Sequence, residues 1–422
     1  MTQANAARRL GALPLGRPLA VHPGRRCAGI ALILVLAAGL AGCETLGFYR
    51  QAVSGQLSLL WQRQDVADLL ADPDTPAPLA RQLRLSQDLL DWAEAELALD
   101  SAGQYRSFVD LDREAAVWVV FAAEEFSLAP VQWCYPLVGC LAYRGYFDET
   151  RARRLQASLA GKDTHISAVA AYSTLGWFRD PLLSTFIDYP DADLAGLLFH
   201  ELAHGRLFLA GDTAFNESYA SFVEREGARQ WLAEHREAGV LAAAELRWRR
   251  LDAFQAMLAH WRQALADLYS QPYPDATMRL LKKALLDDLL QCYESNADFF
   301  DGAYDGYFAQ PVNNARLMSS GLYFRWRDSF AELFVESGRD WAAFHQAAEA
   351  WSALPEAERE DVLRRYRAAW RARQDASGDQ HIAEGRDQQH PQQIQCQALT
   401  HHRGDGETAS AEHDDVRGSR HR

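Results

Sequence analysis

Residues 193–204 read DLAGLLFHELAH. Leu194, Leu197, Leu198 and Leu202 make a helix here apolar around most of its circumference, so it has to be an interior helix. His200, Glu201 and His204 nevertheless stand inside it. Buried polar groups without partners are costly, so the fold must bring something to all three. His200 and His204 are four residues apart, which places them one turn apart on the same face. Two imidazole lone pairs then converge on one point, as a metal ion requires. Glu201 is turned away from His200 by about 100°. Its carboxylate falls beside the ion rather than on it, where it can take a proton from water.

Two imidazoles do not complete a metal site, and the next segment supplies candidates. Leu207 and Ala210 stand three and six positions past His204, where a metzincin would have glycine and a third histidine. The segment LAGDT at 209–213 is a clear helix breaker, and a second helix starts near Asn216. Glu217 lies in its first turn, where a carboxylate is electrostatically favoured. A helix–turn–helix hairpin would return that turn to His204. Asp212, Glu224 and Glu226 remain alternatives. The last two read as solvated helix charges whose removal would be nearly silent.

The rest of residues 43–373 reads as one α+β domain, mostly helical. Residues 49–99 and nearly everything from Pro190 to Arg371 carry helical periodicity. Between Tyr105 and Phe178 the texture is that of strands: AAVWVVFAAEEF, WCYPLVGCLAYRGYF and HISAVAAYSTLGWF, with a short amphipathic helix at DETRARRLQASLAG. A small sheet thus precedes the histidine-bearing helix. Residues 374–422 are polar, without period and poor in large apolar residues, which predicts a disordered tail. The formal charge of −14 and the lack of a basic cluster exclude a nucleic-acid footprint.

The N-terminus carries an address. Arg25 and Arg26 precede an apolar run from Cys27 to Cys43 that is short for a membrane span and fits a signal-peptide core. It ends in Leu40-Ala41-Gly42-Cys43, which resembles the lipobox of bacterial lipoproteins. The resemblance implies cleavage after residue 42 and a diacylglycerol on the Cys43 sulfur. Glu44 after it implies the outer membrane, periplasmic face. In an oxidising compartment Cys134 and Cys140 are disulfide candidates, with two buried thiols as the alternative. Cys292 and Cys396 have no obvious partners.

His-Glu-Leu-Ala-His followed by Asn216-Glu217-Ser218-Tyr219-Ala220 resembles the gluzincin metallopeptidases, both thermolysin-like and aminopeptidase-N-like. More closely, the chain is similar to a family of bacterial lipoproteins described as aminopeptidases. YRQAVSGQLSLL, WCYPLVGCLAYRGYF, AYSTLGWFRDPLLSTF, FHELAHGRLFLAGDTAFNESYA and NNARL carry the likeness across most of 43–371. It implies a zincin-like domain with Zn²⁺ held by His200, His204 and Glu217, and Glu201 as catalytic base. It implies a peptide or protein as substrate and the membrane as partner through the anchor. The chain departs in two places. Twelve residues separate His204 from Glu217, fewer than in other gluzincins, and no Gly-x-Met-Glu-Asn segment is present.

A peptidase also wants a donor for the oxyanion formed at the scissile carbonyl. Tyr323 is the first candidate and Tyr219 the second. Tyr172, Ser173 and Thr174 lie where a zincin holds substrate along an edge strand. Asn313-Asn314 suits a helix cap as well as a site. Two rival readings stand beside the aminopeptidase. One is a zinc endopeptidase of periplasmic proteins. The other is a non-catalytic lipoprotein scaffold whose zinc is closed by a fourth protein ligand, Glu201 or Asp212.

Overall fold

A computed structural model describes residues 47–48, 50–51, 53–135, 139–171, 179–319, 325–383 and 396. It divides at Ser58 into two compact units. Residues 47–48, 50–51 and 53–58 are helical, with the Ser54 hydroxyl donating to the Gln51 carbonyl at 3.2 Å. The second unit holds all the elements named below. Cys43 lies outside the described residues, as do Tyr172, Ser173, Thr174 and Tyr323.

The unit is α+β and mostly helical. The helices are α1 (Val66–Ala71), α2 (Ala77–Glu96), α3 (Glu149–Ser158), α4 (Asp191–Arg206), α5 (Thr213–His235), α6 (Ala238–Tyr269) and α7 (Asp275–Ser295). They continue as α8 (Ala297–Phe300), α9 (Asp305–Phe308), α10 (Asn314–Ser319), α11 (Arg327–Glu336), α12 (Trp341–Ser352) and α13 (Glu356–Ala383). The strands are β1 (Gln64–Asp65), β2 (Ser107–Val109), β3 (Val117–Ala123), β4 (Trp133–Tyr135), β5 (Gly139–Leu141), β6 (Arg144–Tyr146), β7 (Asp163–Val169) and β8 (Leu182–Leu183); the longest, β3 and β7, hold the most β-branched and aromatic residues.

β3 is the centre of one antiparallel sheet, between β6 and β7. Its seven residues pair with all of β7, from Val117↔Val169 to Ala123↔Asp163. Its sequence VWVVFAA is a continuous apolar run, and six of the seven residues are buried, so the strand is covered on both faces. A second sheet joins β1 antiparallel and β8 parallel to β2. β4 and β5 form a separate pair in which Cys134 and Cys140 sit directly opposite each other, joined by a disulfide.

One large apolar core runs under α2, β2, β3, α4, α5, α11 and α12. A smaller one forms between α6, α7 and the short helices α8 and α9, around Phe254, Trp261, Tyr293 and Phe300. Two polar features of the large core explain sequence positions that periodicity leaves open. Tyr219, fully buried, donates its hydroxyl to His345 Nδ1 at 2.7 Å, and His345 Nε2–H donates to the Leu97 carbonyl at 2.8 Å. The carbonyl can only accept, which fixes the neutral tautomer of this ring. Tyr219 is therefore a core residue, not an oxyanion donor.

Burial holds the His345 imidazole down at about 4, against an ordinary 6.5. The unfolded chain binds this proton more readily than the folded one. The contribution of His345 is fully present above about 6.5 and is lost as pH falls towards 4, amounting to roughly 2–3 kcal/mol. His345→Gln keeps an N–H for Leu97 and removes the titration. Urea midpoints of wild type and variant are expected to lie closest at neutral pH and to separate towards pH 4, where wild type loses stability that the variant keeps; parallel curves would contradict the assignment.

The C-terminus departs from the sequence reading. α13 continues past residue 373 to Ala383. Cys396, for which the sequence offers no partner, is joined to Cys292 on α7 by a disulfide. Asn313 is a helix cap: its Oδ1 accepts from Arg316 N at 3.0 Å at the start of α10, while its Nδ2 donates to the Thr164 carbonyl on β7.

Candidate metal centre

α4 begins after Pro190, with Asp191 and Asp193 in its first turn to complement the positive end of the helix dipole. Ala192, Leu194, Ala195, Leu198, Phe199, Leu202 and Ala203 are all buried. It ends at Leu207, and the chain turns through Gly211, whose φ of +89° favours glycine. α5 then runs back along α4.

Asn216 fixes the turn. Its Nδ2 donates to the Leu209 carbonyl and its Oδ1 accepts from Leu209 N, both at 2.8 Å, with the side chain only 2 % exposed. Asp212, an alternative third ligand in the sequence, is used otherwise. Oδ1 accepts from Phe215 N as the cap of α5, and Oδ2 receives the Arg359 guanidinium at 2.9 and 3.1 Å. The Asn-Glu pair thus divides its labour: Asn216 pins the turn, and Glu217 is delivered to the histidines.

His200, His204 and Glu217 each offer a donor atom within 4.8 Å of the others. His200 Nε2 and His204 Nε2 are 3.1 Å apart. Glu217 Oε2 is 3.4 Å from His200 Nε2, and Oε1 is 3.7 Å from His204 Nε2. A tetrahedral ion with nitrogen and oxygen ligands at about 2.0–2.1 Å holds its donor atoms about 3.4 Å apart. The triangle therefore matches the base of such a tetrahedron. Burial alone would raise the Glu217 carboxyl, but contacts with His200 and His204 outweigh it and hold the group down at about 2. Burial would lower the His200 imidazole, yet bonds to Glu217 and Glu224 and the charge of Glu201 raise it well above its ordinary value. Three carboxylates around two imidazoles make a pocket electrostatically suited to a cation.

Glu201 Oε2 is buried and has no hydrogen-bond partner among the described residues. That is an expensive condition for a carboxylate.

Glu224 corrects the sequence reading. It is not a free helix charge, since its Oε2 bonds His200 Nδ1 at 2.9 Å. A partner on the far nitrogen sets the ring's orientation and leaves Nε2 for the ion. The spacing carries a usable signal: Glu217 and Glu224 are seven apart, two turns along one face of α5. Glu224→Ala is expected to lower metal affinity about 10–100-fold rather than be silent, measured by competition with a chelator. Glu226 does behave as a helix charge, bound by Arg229 and Gln230. Tyr143, between β5 and β6, is a tyrosine that the sequence reading passed over. Its ring is 37 % exposed, and the surrounding protein and then the charge of Glu217 raise its phenol.

No curated protein and no solved structure is significantly similar to the chain. A family model described as "Putative aminopeptidase" matches residues 47–363, which include both hairpin helices and every group of the triad. The chain belongs to that aminopeptidase family.

Proposed function

We propose that the protein is a zinc-dependent peptidase, an aminopeptidase by its family, anchored by a lipid on Cys43 to the periplasmic face of the outer membrane. One observation carries the catalytic part: three donor atoms lie 3.1–3.7 Å apart, and His200 among them feels the charge of Glu201, whose buried Oε2 has no partner among the described residues.

His200 Nε2, His204 Nε2 and a Glu217 oxygen would hold the ion, and Glu224 would keep His200 oriented. Zn²⁺ in such a site supplies Lewis-acid polarisation of the scissile carbonyl and acidifies water. Glu201 Oε2 takes the proton of the attacking water and later gives it to the leaving amine nitrogen. Leu198, Phe199 and Leu202 keep bulk water from the inner side of the helix. Among the described residues two histidines and Glu217 converge as ligands, and Asp212 is engaged by Arg359, so the donor set favours an open site over a closed structural one.

The test is zinc content and turnover of the purified protein on peptides with free and acetylated N-termini. Cleavage confined to free N-termini supports the aminopeptidase. Cleavage of blocked peptides would move the reading to an endopeptidase, in line with the missing Gly-x-Met-Glu-Asn segment. Zinc binding without any turnover would leave the scaffold. Labelling with a palmitate analogue, lost in Cys43→Ser, tests the anchor.

A further inference from the structure

Gly196 stands on α4 one turn before His200, on the side facing α5. Nothing in its backbone demands glycine, and a glycine inside a helix weakens it relative to alanine. A Cβ built at this position would meet Glu224 Cγ at 3.2 Å and Oε1 at 3.6 Å. The Glu224 side chain is 41 % exposed and can give way towards solvent, but not without cost to the bond it makes. Its other carboxylate oxygen is bonded to His200 Nδ1 at 2.9 Å, so moving Cγ away draws the carboxylate off the ring.

We propose that Gly196 is a positioning residue of the metal centre: its missing side chain is the space through which Glu224 crosses from α5 to hold His200. The proposal rests on the reading of His200, His204 and Glu217 as zinc ligands. Gly227 shows the contrast. A Cβ there would lie 2.8 Å from Leu97 Cδ1 and 3.0 Å from Phe199 Cδ2, both in fully buried side chains, so that glycine serves packing. At Gly196 the obstructed atoms belong to the group that orients a ligand. An added methyl group should therefore weaken metal binding while leaving the fold intact.

A double-mutant cycle in the full-length protein tests this: wild type, Gly196→Ala, Glu224→Ala and the double variant. The readouts are zinc affinity by chelator competition, the melting temperature of the metal-free protein, and the downfield Nδ1–H proton resonance of His200. Gly196→Ala is expected to lose about 10-fold in affinity, with a melting temperature equal to wild type or higher. The double variant should match Glu224→Ala within about twofold, because the obstructed side chain is gone. Wild-type affinity in Gly196→Ala overturns the proposal. So does an equal loss in both backgrounds, which would assign the effect to helix geometry. If wild type takes up no zinc, the metal reading falls separately. The resonance then decides for Gly196: lost in both single variants, it supports the proposal; kept in Gly196→Ala, it overturns it.

Discussion

Glu201→Gln is expected to keep a full complement of zinc and to lose peptide turnover by about 10²–10⁴-fold. The amide fills the same volume and cannot accept a proton. His200→Ala, His204→Ala and Glu217→Ala should instead lose the metal, because two remaining protein groups hold zinc poorly. The contrast follows from the geometry: three groups meet at 3.1–3.7 Å, and Glu201, whose charge acts on His200, has an oxygen without a partner among the described residues. Zinc per chain and turnover, measured on all four variants, separate the roles. Full activity in Glu201→Gln would remove the base from the mechanism. Full zinc in Glu217→Ala would remove the third ligand.

The largest effect on stability should come from Asp212→Ala. Arg359 is 7 % exposed in its side chain and gives two of its donors to Asp212; a third goes to the Leu354 carbonyl. Breaking a buried pair strands the remaining charge, and the same change removes the cap of α5. Together these amount to about 4 kcal/mol. At saturating zinc the variant should still bind one ion per chain, since Asp212 is no ligand. Denaturant unfolding and metal analysis check the two halves separately. A variant as stable as wild type would mean that the Arg359 pair is balanced by solvent. One that keeps its fold but binds no zinc would return Asp212 to the list of ligands.

The triad is legible in the sequence because its three groups come from one hairpin. His200 and His204 are related by helical geometry alone, and Glu217 follows from a breaker and the electrostatics of a helix start. Glu224 was misjudged for a physical reason. A glutamate in the middle of a helix is usually solvated, and the sequence does not show how closely α4 and α5 approach at Gly196, where Glu224 reaches His200. Asp212 was ambiguous because its partner, Arg359, lies far along the chain. The strand-rich texture of 105–178 was readable from composition, but the order β6-β3-β7 was not, since pairing depends on contacts between distant residues. The Cys292–Cys396 link has the same character.

Every donor group of the centre lies between residues 200 and 217, on either side of one pinned turn. The entropy of bringing the ends of a loop together grows only with the logarithm of its length, at about 0.6 kcal/mol per doubling. A short connection therefore assembles these groups at small configurational cost, independently of the remote pairings between β3 and β7. An ion can engage this segment while much of the chain is still unstructured. Affinity for the incompletely folded chain subtracts from the stabilisation that the ion gives the native state. The metal should thus raise the unfolding temperature less than its native-state dissociation constant alone would imply, and should act early, as a local template for the hairpin.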